Sequence, residues 1–187
     1  MSSPLKTFPD SFSNLKNITA LSLEGLNLSK YPIMINEMTD MKSINLSLNP
    51  NLSLEETINN LSENNNIVEF AFNNNNVYSI PDNISDMKSL QILCLAGNTL
   101  DKISSSIFKL YKLERLVLSH NSIDTIPEGI EKLKDLHEFD VRGNWILHIS
   151  EKLYELDKPK FCLYLNLINN EDYNTLKENM PSSKIIK

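Results

Sequence analysis

One pattern recurs along most of this 187-residue chain and restricts what it can fold into. Copies of an apolar skeleton begin at Ile18, Met41, Ile67, Leu90, Leu113 and Leu136, and all are 23 residues apart except the second, which runs for 26. The copy at Leu113 reads LERLVLSHNSIDTIPEGIEKLKD, with apolar Leu113, Leu116, Leu118, Ile123, Ile126, Ile130 and Leu133 around Asn121. Its first part alternates apolar and polar residues, the period of a short strand with one buried face. Its second part spaces apolar residues by three or four, the period of a short helix or 3-10 turn. Such a unit has one apolar side and cannot bury it alone, whereas stacked units put like residues into columns. Leu21, Ile44, Phe70, Leu93, Leu116 and Phe139 form one predicted column. Each contributes on the order of 1.5–3 kcal/mol when fully buried, so six units suffice for a core. A second column, Asn49, Asn75, Asn98, Asn121 and Asn144, carries amides able to bond backbone groups that the turning chain leaves unpaired.

The pattern LxxLxLxxNxLxxIPxxIxxLxx, over roughly residues 18–157, resembles the leucine-rich-repeat family. The resemblance implies an α/β right-handed solenoid with a parallel concave sheet and short convex helices or 3-10 turns. The 23-residue I-P-x-x-I form is similar to repeats of intracellular scaffolds in Ras-pathway and cell-polarity signalling, and to those of small bacterial repeat proteins, secreted effectors among them. It implies an interaction surface and names no partner. Leu26 departs from the pattern, standing where the first copy should have its Asn.

Residues 1–17 read as a partial repeat or cap, because Leu5, Phe8, Pro9, Phe12 and Leu15 match only a repeat's second half. Either they form a short helical cap, or a second copy of the chain completes it; a monomer is the expectation adopted. Residues 158–187 read as a C-terminal cap. In it, Phe161–Leu167 forms a last strand, 171–179 a helix, and 181–187 a frayed tail. Ser53-Leu54-Glu55-Glu56 is a capping-box signature and predicts a true helix at about 54–62 in the long second copy.

Composition narrows the function classes. A net charge of -6 argues against a nucleic-acid binder, and no apolar run is long enough to span a bilayer. The start, Met1-Ser2-Ser3-Pro4, lacks a signal peptide's features. The expected location is therefore the cytoplasm, or a host cytosol reached by secretion without a cleavable signal. Four glycines without phosphate-loop spacing, and two distant cysteines, point to no cofactor or metal. On the repeat frame Cys94 and His120 fall roughly 10 Å apart, too far for a nucleophile and its base, so catalysis is not expected.

The expected function is non-enzymatic binding of another protein on the concave face. The candidate contact residues are Ile92, Arg115, Val117, His120, His137, Asp140, Arg142 and Trp145. They join an apolar centre to a charged C-terminal half holding both arginines and the only tryptophan. A second reading of the arginines is cross-strand pairing with Glu114, Glu138 and Asp140, solvated and weak. The effector and the endogenous scaffold, with a small GTPase or phosphatase as partner, are both open to such a chain.

Overall fold

The structure is a computed structural model that describes residues 8, 12, 14–157, 159–181 and 183–186. Leu5 and Pro9 of the expected N-terminal cap lie outside the described residues.

Among the described residues, eight short strands form one all-parallel sheet. They are β1 (Ala20–Ser22), β2 (Ser43–Asn45), β3 (Glu69–Ala71), β4 (Ile92–Cys94), β5 (Arg115–Val117), β7 (Glu138–Asp140), β9 (Lys160–Cys162) and β10 (Lys184–Ile186), side by side in that order. Two further strands, β6 (Thr125–Ile126) and β8 (His148–Ile149), pair in parallel with each other in the connections that leave this sheet. The register puts Leu21, Ile44, Phe70, Leu93, Leu116, Phe139, Phe161 and Ile185 opposite one another. The predicted column therefore exists and runs two strands further. From Ile44 to Phe161 its members are completely buried, and the Phe139 and Phe161 rings stack with centroids 5.2 Å apart.

The return half of each unit is a 3-10 turn: Ile33–Glu37, Asp82–Asp86, Ser105–Lys109, Ile130–Lys132 and Glu151–Glu155. Each buries one apolar residue on the stack axis, in order Ile35, Ile84, Ile107, Ile130 and Leu153. Pro32 and Pro81 enter two of these turns in extended geometry, and Ser104 and Ser150 cap two others through their hydroxyls. Gly129 enters the Ile130–Lys132 turn at φ 104, and a Cβ there would sit 2.4 Å from the Phe108 ring. The three extra residues of the second unit turn this segment into a real helix, α1 (Leu54–Leu61). Leu54, Thr57, Ile58 and Leu61 are its buried stripe, and the Ser53 hydroxyl accepts the Glu56 N–H, as the capping signature predicts.

The asparagine column forms a continuous ladder. Asn98 shows its geometry: its amide N–H donates to the carbonyls of Phe72 and Leu95, and its Oδ1 accepts from the N–H groups of Asn75 and Val77. Asn49, Asn121 and Asn144 bond in the same way, each to its own unit and to the one before. Asn166 adds a rung that the sequence reading left out, bonding Ile146 N–H and the Val141 and Leu163 carbonyls.

The C-terminal cap differs from its prediction in two places. The strand is confined to Lys160–Cys162, because Leu163–Asn166 turns out of the sheet to deliver Asn166 to the ladder. The frayed tail is instead β10, paired with β9 after α2 (Asn170–Asn179). Leu176 and Met180 are buried and tie α2 to the core, which holds the chain end beside β9. At the other end Phe8 and Phe12 contact each other and pack against the core. No helix among the described residues is long and apolar enough to cross a membrane.

Candidate protein-binding face

Strand residues between the core columns project from the open face of the sheet in two rows. One row, in register, is Ala20, Ser43, Glu69, Ile92, Arg115, Glu138, Lys160 and Lys184. The other is Ser22, Asn45, Ala71, Cys94, Val117, Asp140, Cys162 and Ile186. The sheet thus brings Ile92, Arg115 and Val117 together as predicted. Ile92 stands opposite Arg115, and Val117 lies between Cys94 and Asp140; both apolar side chains are half-buried.

The arginines follow the cross-strand reading. Arg115 Nε lies 3.1 Å from Glu138 Oε2, and the other oxygen of Glu138 accepts from Lys160 Nζ at 2.8 Å. The three make one row of alternating charge across β5, β7 and β9. The hydrogen bond from Lys160, with Arg115 beside it, holds the Glu138 carboxyl below its ordinary range. Arg142 is clamped twice: Nη1 donates to the Tyr164 hydroxyl at 2.6 Å, and Nη2 lies 2.7 Å from Asp140 Oδ2. Its guanidinium also stands 5.3 Å from the centroid of the Tyr164 ring. These contacts, the Tyr164 bond first, raise the Arg142 pKa and keep the group charged.

Asp140 corrects the list of candidate contacts. It is only 3% exposed, its carboxylate accepting from the Arg142 N–H and guanidinium, so it supports the face from beneath and presents nothing to a partner. His120 is exposed and sits just past β5 at φ 55, its ring filling the space where a Cβ on Gly143 would stand. Only glycine at 143 leaves room for that ring. His137 is exposed before β7, its Nδ1 3.1 Å from the Asp135 carbonyl oxygen. Trp145 is 61% exposed on the rim, with Leu147, Leu165 and Leu167 exposed on the same and the following unit. The residues that sequence reasoning missed are Lys160 and Tyr164. Counting back from Asn166 as one counts back from Asn144 would have put Tyr164 in the place that Arg142 holds.

The Cys94 thiol is half-buried on this face, and burial pushes its pKa up, which keeps it protonated and a poor nucleophile. Among the described residues no group of three His, Cys, Asp or Glu side chains could hold a metal ion.

The comparisons agree with this architecture. Residues 88–146 match the family model for the leucine rich repeat. A leucine-rich-repeat protein of Leptospira interrogans superposes with a TM-score of 0.76 at 22% identity, covering 98% of this chain and 52% of its own. An internalin of Listeria monocytogenes gives 0.70 at 22% identity, with 93% and 49% covered. The plant peptide hormone receptor RGFR1, solved in complex with RGF2, gives 0.64 at 23% identity, with 95% and 33% covered. This chain spans about half the length of the first two and a third of the receptor. At these identities the likeness establishes the fold. No curated protein matches the sequence.

Proposed function

We propose that this chain, which is a leucine-rich-repeat solenoid, holds a partner protein on the C-terminal half of its concave sheet. The fold suggests an interaction module in general terms. What supports the finer reading is one juxtaposition: half-buried Ile92 and Val117 adjoin the ordered cations of Arg115, Lys160 and Arg142, with exposed Trp145 at the rim. Arginines already fixed by Glu138, Asp140 and Tyr164 lose little side-chain freedom when a partner docks. The surface therefore offers an apolar centre and a pre-organised polar border. The protein acts as a monomer in a cytosol, as an effector or as a scaffold; two free cysteines agree with a reducing compartment.

The test is affinity capture from candidate lysates with wild type and a charge-deleted variant as baits. Arg142→Ala alone would strand the buried Asp140 carboxylate, so it is combined with Asp140→Asn and Arg115→Ala. A protein retained by wild type and lost by this triple variant is expected, at a thermal midpoint within a few degrees of wild type, because Asp140→Asn removes the buried charge together with its partner and the more exposed Arg115–Glu138 pair is worth at most about 1 kcal/mol. Undiminished capture by the folded variant overturns the proposal.

A further inference from the structure

The small sheet of β6 and β8 has an open edge. The N–H groups of His148 and Ser150 point to β6, donating to the carbonyls of Asp124 at 3.4 Å and Ile126 at 2.9 Å. Main-chain groups of successive strand residues face opposite edges, so the N–H and C=O of Ile149 are turned away from β6. The next unit places no strand against them, since the chain enters α2 at Asn170. Between β8 and α2 lies a cleft of about 150 Å³ lined by Leu147, His148, Ile149, Tyr154, Asp172 and Thr175.

The walls of this cleft have a defined character. Asp172 places a carboxylate in the lining, and the Tyr154 hydroxyl is pushed above its ordinary pKa by burial first and then by the charges of Glu151 and Asp172. Leu147 and Leu167 form an exposed apolar shoulder, and Leu167 N–H donates to the Ile146 carbonyl at 3.1 Å, which keeps the shoulder against the segment entering β8. An unpaired strand edge, an acidic cleft and an apolar shoulder together describe one kind of occupant.

We propose that this cleft receives an extended segment of a partner protein, which adds to β8 as a third strand, pairs its main chain with Ile149 and seats a lysine or arginine side chain against Asp172 and Tyr154. An apolar residue of the same segment covers Leu147 and Leu167. This site is distinct from the concave face and does not depend on it.

The test is selection of random heptapeptides displayed on phage against the full chain. Enriched peptides are then titrated into wild type, Ile149→Pro, Asp172→Lys and Arg115→Ala. Proline at 149 removes the N–H that faces the cleft, together with the Ile149 side chain's packing against the core, and sits where an edge strand tolerates it. Expected is a lysine or arginine flanked by apolar residues, with about tenfold weaker binding to Ile149→Pro and to Asp172→Lys, and none lost in Arg115→Ala. Replacing the basic residue of the peptide by glutamate should restore binding to Asp172→Lys. In wild type, the bound peptide should slow hydrogen exchange of the Ile149 amide, a readout that holds even where Ile149→Pro fails to fold. Selection without enrichment, peptides lacking a basic residue, or full-strength binding to Asp172→Lys overturns the proposal. So does a concentration-dependent dimer lost in Asp172→Lys, which would give the cleft to a second copy of this chain.

Discussion

Each ladder asparagine reaches one unit back: Asn49 to Leu23 and Leu28, Asn121 to Leu95 and Leu100, and Asn166 to Val141 and Ile146. This direction explains Leu26, the break in the asparagine column. Leu26 belongs to the unit of β1, the first strand of the sheet, and among the described residues no strand carbonyl lies behind it for an amide to reach. The position is therefore free to carry an apolar residue that packs against the core. Two substitutions separate the cases. Asn98→Ala leaves the carbonyls of Phe72 and Leu95 and the N–H groups of Asn75 and Val77 without their partner, and should cost on the order of 3 kcal/mol. Leu26→Asn should add no stability and lose up to about 1 kcal/mol of apolar burial. Denaturant unfolding of both variants decides it, and a stabilised Leu26→Asn would refute the directional reading.

At the scale of elements, strands only three residues long are held by what their neighbours place beside them. The row Arg115–Glu138–Lys160 links β5, β7 and β9 through one carboxylate. Because the folded Glu138 pKa lies below its ordinary value, the row contributes fully above the ordinary glutamate range, near pH 4.3, and its contribution fades as pH falls through the lowered value. Denaturant midpoints of wild type and Glu138→Gln between pH 6 and pH 3 should therefore converge as the pH drops, starting from a gap below about 1 kcal/mol. A gap that widens toward acid would contradict this sign. The same row accounts for the weight of Glu138, which is absent from the expected contact residues: its side chain orients two cations and presents little of itself.

For the whole molecule, every unit touches only its neighbours, so stability is close to a sum of units and the interfaces between them. Ile107 is completely buried on the central stack axis, between the turns that hold Ile84 and Ile130. Ile107→Ala should cost about 2–5 kcal/mol. Hydrogen exchange should then quicken most in β4 and β5 and least in β1 and β10, because the damage spreads through adjoining interfaces. Uniform acceleration across the sheet would show instead a single cooperative unit.

The repeat period alone determined the architecture, since a unit with one apolar side has no stable arrangement except a stack of like units. It also determined the core columns, the asparagine ladder as far as Asn144, and α1 with its Ser53 cap, all of which rest on local spacing. The tertiary structure decided what depends on neighbours distant in the chain. Asp140 and Val117 occupy equivalent places in the repeat, yet only Asp140 is drawn under an arginine, because Arg142 and Tyr164 meet above it. Lys184–Ile186 is a strand because α2 carries it back beside β9, and the cleft at Ile149 is open because the chain turns into α2 at Asn170 and does not continue alongside β8. Period fixes which residues share a face; only the packed chain fixes which of them remain free to meet a partner.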